Sequence, residues 1–254
     1  MSARRKVDGE ERSSYYHYFS FGLSSYIDRL LMRTRRSVYQ LFTSAFVPTA
    51  TDRILDIGIS ANNHPSSNYL EKNYPHPGTI IGLGAEPHPS LRADHPELIL
   101  LCGDARALPL KTGAVDFVYS HAVIEHVGSR TNQAKFLSEA LRVARKGVLI
   151  TTPNRRHPIE THTGLPFLHY LPAAIWRPIY RILGKGMYAS EETLHLLSAR
   201  LLMRLVLDLG IRPGQSELHK IRWLGIPSNL VLIIRQDSAP EGVNSPSASP
   251  RCDR

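Results

Sequence analysis

The sequence has few cysteines. Only Cys102 and Cys252 occur among 254 residues, the first inside an apolar run and the second in a polar tail. Two cysteines placed in this way argue against a disulfide framework and against a cysteine-ligated zinc site. We therefore expect a protein of the reducing cytoplasm.

Long apolar stretches are also missing, so no segment has the uninterrupted length of a membrane span. The first residues include Arg4, Arg5 and Lys6, but serine, tyrosine and glycine follow in place of a continuous apolar region. A signal peptide is therefore not expected. These features favour a cytoplasmic location, with peripheral contact at a membrane surface kept as an alternative.

Acidic residues are outnumbered, with 22 Asp and Glu against 31 Lys and Arg, which gives a formal charge of +9 and a pI near 9.7. This balance favours acidic partners such as nucleic acid, an anionic membrane or a phosphorylated substrate, and charge alone does not choose among them. The chain shows no separate nucleic-acid module and no regular basic-aromatic pattern, so nucleic acid is not expected as a partner.

Composition divides the chain into four regions, and its length needs only one catalytic domain. Residues 1–14 are charged and small and are expected to form a disordered arm, and residues 236–254 a disordered tail. Residues 15–48 carry apolar side chains at helical spacing and predict one or two helices. Their arginines suit either contact with a phosphate-bearing ligand or a solvated helix face. Residues 49–235 are the expected catalytic domain.

From Ile54 to Ile150, strand-like runs alternate with helix-like runs, a pattern typical of a parallel α/β sheet. Polar residues follow four of the strand-like runs. Because ligands of open parallel sheets bind outside the carboxyl ends of the strands, these residues are expected to surround a pocket. They are Asp56 with Gly58, Glu86, Asp104 with Ala105, and Ser120 with His121.

Helices are expected over 67–73, around Leu91, over about 133–144 and over 191–209, the last with Ser190 as its cap. Gly147 is expected to close the third helix before a strand over 148–151. Near the end, the runs 219–223 and 230–235 flank the turn-like segment 225–229 and predict an antiparallel pair at the sheet edge.

The ordered strand-end residues, together with the segments Asp116–Ser120 and Ala122–Val127, resemble class I S-adenosylmethionine-dependent methyltransferases. The segment from Leu141 to Asn154 is most similar to small bacterial methyltransferase-domain proteins of the quinone-biosynthesis-like type. The resemblance covers most of residues 50–235. It implies a Rossmann-like, mostly parallel seven-stranded sheet with an antiparallel C-terminal strand and helices on both faces, with S-adenosyl-L-methionine as cofactor.

The resemblance also implies a role for each strand-end residue. Gly58 lets the backbone approach the cofactor, and Asp56 helps orient its methionine end. Glu86 stands where the family's acid holds the ribose hydroxyls. The remaining assignments are Asp104 to the exocyclic amine of adenine, Ala105 to a ring nitrogen, and Ser120 and His121 beneath the methionine and sulfonium.

One departure is the loop Gly58–Asn63, which lacks the second and third glycines of the family pattern. The loss undercuts a dinucleotide-binding alternative, since that fingerprint needs three spaced glycines. It also leaves open a second hypothesis, a catalytically silent cofactor-binding or scaffold protein.

The acceptor end is expected near His126 and His162, the candidate catalytic bases, since histidine titrates near neutral pH. For His126, a structural pairing with Glu125 is the alternative. His121 and His169 are weaker candidates. A metal site at His157, Glu160 and His162 is not expected, because cysteines and a helical His spacing are lacking.

The tetrapeptide Ser120–Val123 replaces the Asn-Pro-Pro-aromatic sequence of adenine and amide nitrogen methylators, so oxygen or carbon acceptors are favoured. The segment near 155–189 combines aromatic residues with Arg177 and Arg181. It is expected to be a lid over a small-molecule, lipid-linked or glycan acceptor, with membrane contact as the alternative. An RNA methyltransferase is a further alternative, and the oligomeric state is not predicted.

Overall fold

The computed structural model describes residues 24–61, 64–87 and 89–236. Seven strands and six α-helices make up this part of the chain, joined by short 3₁₀ turns such as Ile124–His126. In chain order they are α1 (Ser24–Phe46), β1 (Ile54–Ile57), α2 (Tyr69–Asn73), β2 (Ile80–Gly84), α3 (Pro89–Asp94), β3 (Ile99–Cys102), β4 (Val115–His121), α4 (Arg130–Val143), β5 (Ala144–Pro153), α5 (Ala173–Ile182), α6 (Ala199–Asp208), β6 (Ser216–Trp223) and β7 (Ile226–Arg235).

The strands form one seven-stranded sheet in the order β3-β2-β1-β4-β5-β7-β6. Neighbours from β3 through β5 run parallel, while β7 is antiparallel to both β5 and β6. The predicted α/β sheet with an antiparallel C-terminal pair is confirmed. The hairpin turn is shorter than expected, because β7 begins at Ile226 and β6 ends at Trp223.

Alternate residues of the strands pack into two apolar layers, one on each face of the sheet. Leu55 and Ile57 pack with α4 and α6, whereas Ile54 packs with α1, α2 and α3. Helices on both faces are what a buried parallel sheet requires, since each face is apolar. The prediction of helices on both faces is therefore confirmed.

The helix before the sheet is continuous from Ser24 to Phe46. The earlier part of the predicted helical segment, residues 15–23, lies outside the described residues, as do the arm and all of the predicted tail except Gln236, whose side chain donates to the Leu141 carbonyl. Phe42 is fully buried, and its ring meets Tyr119 edge-on at 5.4 Å. Arg29, Arg33 and Arg36 are exposed, which fits a solvated helix face.

The predicted helix over 191–209 forms only in its second half, Ala199–Asp208. The helix begins after Ser198, whose hydroxyl caps it by accepting a bond from the Leu201 N–H, and Ser190 caps no helix. The residues before Ser198 make tertiary contacts instead. The His195 N–H donates to the Glu125 carbonyl, and Leu197 forms a parallel β-bridge with Asn154. Tertiary packing here overrides helix propensity.

Gly147 does not close a helix, contrary to the prediction. The helix ends at Val143, and β5 begins at once with Ala144, so Gly147 lies inside the strand. A Cβ at this position would lie 2.2 Å from Phe46 Cε1. Glycine therefore allows the end of α1 to pack directly on β5.

Cys102 is disulfide-bonded, contrary to the expectation from the placement of the two cysteines. Among the helices that the structure describes, none combines the length and apolar character that a bilayer crossing requires.

Candidate functional site

A cavity of about 820 Å³ opens at the carboxyl edge of the sheet. Its walls come from the ends of β1, β2 and β3, from the turn after β4 and from the start of α4. This is the position at which open α/β sheets bind ligands. The lining residues include Gly58, Gly84, Asp104, Ala105, Arg106, His126, Glu191 and Glu192.

Gly58 follows β1 with φ of 105°, a conformation that residues with a Cβ rarely adopt. A Cβ built there would lie 2.3 Å from Val123 Cγ2. The Gly58 N–H donates to the Leu83 carbonyl at 2.9 Å, which ties the turn to β2. The Cβ direction at Gly58 is thus filled by Val123, and the approach of the Gly58 backbone to the cofactor stays a prediction.

Asp56 lies in β1 but points into the protein, where it is 7% exposed and faces Glu71 of α2. Burial and the neighbouring Glu71 carboxyl raise the pKa of Asp56 well above its usual range. Burial likewise raises the pKa of Glu71, whose two carboxylate oxygens have no hydrogen-bond partner of standard geometry. Asp56 does not line the cavity directly and stands behind its wall.

Asp104 and Ala105 both line the cavity just after β3. The Arg106 guanidinium donates hydrogen bonds of 2.7–3.0 Å to both oxygens of the Asp104 carboxylate. These bonds, together with one from the Arg106 backbone N–H, lower the pKa of Asp104. The carboxylate is therefore charged at neutral pH and already accepts hydrogen bonds at the cavity surface.

Glu86 is exposed and stands two residues beyond the end of β2, and it is not among the residues that line the cavity. The wall at this point consists of Gly84 and Ala85. Glu86 thus lies at the correct edge of the sheet, outside the cavity itself. Its assignment to the ribose stays a prediction.

Ser120 and His121 end β4 and also do not line the cavity. Ser120 is fully buried, and its hydroxyl donates to the Ile57 carbonyl at 3.1 Å, which ties β4 to β1. Burial lowers the pKa of His121 well below its usual range, so its imidazole is neutral. Their predicted contacts with the methionine end remain untested.

His126 and His162 lie together, with their rings in edge contact at a centroid distance of 4.7 Å. His126 lines the cavity from the 3₁₀ turn after β4, and His162 comes from the loop after β5. Burial lowers the pKa of His126 to about 4. Burial also opposes charge on His162, but the carboxylates of Glu160 and Glu125 raise its pKa.

Glu125 completes this group and is fully buried. Burial raises the pKa of its carboxyl to about 7, against the effect of nearby His162. Glu160 differs: despite burial, its contacts with His162 and Thr163 lower its pKa to about 2. The carboxyl groups of Glu125 and Glu160 therefore have different pKa values, because Glu160 accepts hydrogen bonds of standard geometry and Glu125 does not.

Two other candidate histidines serve the fold. His169 is buried, and its Nε2 contacts the Arg155 and His157 carbonyls at 2.9 and 3.0 Å. The Nδ1 of His157 contacts the Ile159 carbonyl at 2.8 Å, and its ring packs on Trp223. His157 is not part of the group formed by Glu125, His126 and His162.

The segment over 155–189, called the cap below, contributes Trp176, Tyr180 and Tyr188 to an apolar cluster that also includes Leu194 and Leu196. Pro172 precedes α5 and Pro178 lies inside it, and the helix is only 10 residues long. Large apolar side chains on the same segment stay exposed. They are Ile159, Phe167, Tyr170, Leu171, Ile175, Ile182, Leu183 and Met187.

Sequence reasoning missed several residues of the site. Gly84 lines the wall at the end of β2, and its position at a strand end was the available signal. Arg106 was hidden by its place in a loop. Glu71 of α2 faces Asp56 of β1, a contact between two elements that the sequence does not reveal. Glu191 and Glu192 line the cavity from a segment that was predicted to be helical.

The family described as "Methyltransferase domain" matches residues 55–151, which span β1 to the middle of β5. No curated protein matches the sequence. Similar solved structures include a SAM-dependent methyltransferase from Aquifex aeolicus, with a TM-score of 0.54, 15% identity and coverage of 91% of this chain and 99% of that one. An S-adenosylmethionine-dependent methyltransferase from Mesorhizobium loti gives a TM-score of 0.52 at 14% identity, covering 78% of this chain and 98% of that one.

A third similar structure, the CurJ carbon methyltransferase, has a TM-score of 0.55 at 12% identity and covers 89% of this chain and 58% of that one. At these identities the likeness concerns the fold. Residues 55–151 therefore match a methyltransferase domain, and the described part of the chain has the Rossmann-like fold of the S-adenosylmethionine-dependent methyltransferases to which it is similar. S-adenosylmethionine is the co-substrate that such a domain implies.

Proposed function

We propose that this protein transfers a methyl group from S-adenosylmethionine to an oxygen or carbon atom of a small-molecule, lipid-linked or glycan acceptor. The observation that carries the proposal is the cavity at the carboxyl edge, in which Gly58, Asp104 and Ala105 meet His126. The first three suit the cofactor, and the histidine suits the acceptor. One cavity thus brings together the two halves of a transfer reaction.

The cofactor is proposed to lie along the ends of β1, β2 and β3. Asp104 offers a charged acceptor to the adenine amine, and the Ala105 N–H offers a donor to the ring. The glycine turns at Gly58 and Gly84 leave room for the methionine and the ribose. Glu86 is proposed to reach the ribose hydroxyls from the rim, and Asp56 to act on the methionine end through the wall.

The acceptor is proposed to meet the methyl group near His126. Methyl transfer is an in-line displacement, so holding the nucleophile against the methyl carbon supplies much of the rate. A hydroxyl acceptor also has to lose its proton. The Nδ1 of His126 contacts the Thr193 carbonyl at 2.7 Å, which assigns the proton to Nδ1 and leaves Nε2 as the acceptor. His162 packs behind it and fixes its ring.

Lipid-linked acceptors are favoured by the cap. Eight large apolar side chains between Ile159 and Met187 are exposed, and Arg177, Arg181 and Lys185 lie in the same segment. Apolar and aromatic side chains interspersed with cations are typical of proteins that rest on an anionic bilayer. We infer that the cap contacts the membrane surface from which such an acceptor is taken.

The test is to incubate extract fractions with purified protein and isotope-labelled methyl donor, then identify the labelled product by mass spectrometry. We expect a labelled small molecule, lipid or glycan. His126→Gln should still bind the cofactor and lose turnover by about 100-fold or more, the range of a lost general base. Cofactor binding with no product in any fraction would favour a silent binding protein, and label in RNA would contradict the acceptor class.

A further inference from the structure

Glu125, His126 and His162 each offer one ligand atom to a common point, and these three atoms lie within 4.8 Å of one another. We propose that this group binds a divalent transition-metal ion. The chain thus contains a two-histidine, one-carboxylate site beside the methyl-transfer cavity. The sequence pattern did not predict it, because the ligands come from the turn after β4 and from the loop after β5.

The two imidazoles are held in the orientation that a metal requires. The His162 Nδ1 lies 2.7 Å from Glu160 Oε1, and the His126 Nδ1 lies 2.7 Å from the Thr193 carbonyl. Both oxygens are acceptors, so each ring carries its proton on Nδ1. A carboxylate or carbonyl behind the distal nitrogen is the usual support of a metal-binding histidine. Both Nε2 lone pairs are thereby left for an ion.

Each Nε2 atom faces the same carboxylate. The distance to Glu125 Oε1 is 4.0 Å from His126 and 3.8 Å from His162, too long for hydrogen bonds. Ligand atoms bound to one ion at about 2.1 Å lie roughly 3–3.4 Å apart. The two nitrogen–oxygen distances exceed that spacing by about 1 Å or less, and the widest separation in the group, up to 4.8 Å, exceeds it by about 1.4–1.8 Å.

Glu125 itself indicates a missing partner. The side chain is fully buried, and neither carboxylate oxygen has a hydrogen bond of standard geometry. The Thr152 hydroxyl interacts with this carboxylate, yet it too has no hydrogen bond of standard geometry. A buried carboxylate without partners costs several kcal/mol, so such groups are paired or bind metals. A cation between the two histidines supplies that partner.

The ligand set selects the kind of ion. Imidazole nitrogens suit Zn²⁺, Fe²⁺ and Co²⁺, whereas Mg²⁺ and Ca²⁺ prefer oxygen ligands throughout. Three protein ligands leave open positions, as in catalytic sites. Because His126 lines the cavity, an acceptor oxygen entering there is placed to occupy an open position. With the ion bound, the His126 Nε2 would be a ligand and no longer the base, and the ion would instead lower the pKa of the acceptor hydroxyl. This catalytic role depends on the proposed function, while metal binding does not.

The experiment uses the untagged full chain after treatment with chelator. Zn²⁺ is titrated calorimetrically, and Co²⁺ binding is followed by its visible absorption. We expect one equivalent of either ion to bind without S-adenosylmethionine. Glu125→Gln and His162→Gln should weaken binding by at least about 100-fold, while His219→Gln, on the exposed edge strand β6, should bind like the parent.

A folding readout keeps the result unambiguous. Glu125→Gln removes an unpartnered buried charge, so the metal-free variant should melt at the same temperature as the parent or higher, and Zn²⁺ should raise the melting temperature of the parent alone. Should Glu125→Gln fail to fold, Glu160→Gln is expected to weaken binding by about 10- to 100-fold through its effect on His162.

The proposal is overturned by a parent protein that binds neither ion below about 1 mM, or by a Glu125→Gln variant that binds as tightly as His219→Gln. Methyl transfer that proceeds equally well in chelator would contradict the catalytic role alone. Metal binding without any methyl transfer would contradict the proposed function and leave the site in place.

Discussion

At the scale of single residues, the cavity surface carries a preformed ion pair. Asp104 is held by Arg106 in a bidentate ion pair, and both side chains remain 40–49% exposed. An exposed pair of this kind stabilises the fold little, about 0–1 kcal/mol. The conformation of the carboxylate is nevertheless fixed, which suits a group that has to recognise a ligand.

Asp104→Asn is therefore expected to weaken S-adenosylmethionine binding by roughly 10- to 100-fold, because a charge-assisted hydrogen bond contributes about 1.5–3 kcal/mol. Thermal stability should stay nearly unchanged. The matched control is Asp208→Asn, which removes another exposed carboxylate paired with an arginine, Arg130; neither residue lines the cavity. Equal affinities of the two variants by calorimetry would contradict the assignment of Asp104.

A second prediction concerns Asp56 and pH. Its pKa in the folded protein is raised by burial and by Glu71, so folding favours the protonated form. Stability is then lost as the pH rises from about 4, the ordinary value for aspartate, through the raised pKa. Asp56→Asn should make the cofactor-free protein more stable than the parent at pH 8, by about 1–2 kcal/mol, and by less at pH 5.

Asp52 provides the control of opposite sign. Burial works against its charge, but hydrogen bonds from Lys146 and Thr49 lower its pKa. It contributes stability above the ordinary pKa that is lost as the pH falls, so Asp52→Asn should destabilise the protein at neutral pH and less so in acid. Urea titrations at pH 5 and pH 8 measure the free energy of unfolding of the parent and of each variant. Parallel curves for the Asp56 variant and the parent would contradict the account of Asp56.

At the scale of secondary-structure elements, α1 is fastened to the sheet by aromatic packing at its end. Phe46 lies over Gly147 of β5 and against the ring of Phe117, at a centroid distance of 5.0 Å. The glycine is therefore a packing position, although the sequence pattern suggested a helix end. A local propensity argument has no access to a contact made between residues so distant in sequence.

Gly147→Ala is expected to destabilise the protein by about 1–3 kcal/mol, since the new methyl overlaps the Phe46 ring. Gly186→Ala is the control, because nothing lies within 4 Å of a Cβ at that position. Chemical denaturation of both variants provides the measurement. Adding Phe46→Leu should recover part of the loss, and a Gly147→Ala variant as stable as Gly186→Ala would contradict this packing.

Membrane contact by the cap can be tested at its exposed apolar side chains. Phe167 and Ile182 are 60% and 83% exposed. Replacing both with serine should lower binding to anionic vesicles by more than about 10-fold, because each large apolar side chain contributes about 1.5–3 kcal/mol when buried. Leu224→Ser, which changes an 86% exposed leucine in the β6–β7 turn, should leave binding unchanged in vesicle flotation. Equal flotation of all three proteins would contradict membrane contact by the cap.

At the scale of the whole molecule, alternation of strands and helices was enough to predict the sheet, because each buried strand is a local apolar run that ends in polar residues. The same reasoning predicted that Gly58, Asp104 and Ala105 share one edge. It could not predict that Asp56 faces Glu71 or that Glu125 meets His162. Those contacts depend on side-chain direction and on loop paths, which a periodic pattern does not encode.

The central claim is that the cavity at the carboxyl edge binds S-adenosylmethionine. Equilibrium dialysis with the isotope-labelled cofactor measures this directly on the full chain. We expect one equivalent to bind, S-adenosylhomocysteine to displace it, and nicotinamide adenine dinucleotide to leave it in place. A chain that retains no label at millimolar cofactor, or that releases it to the dinucleotide, would contradict the account.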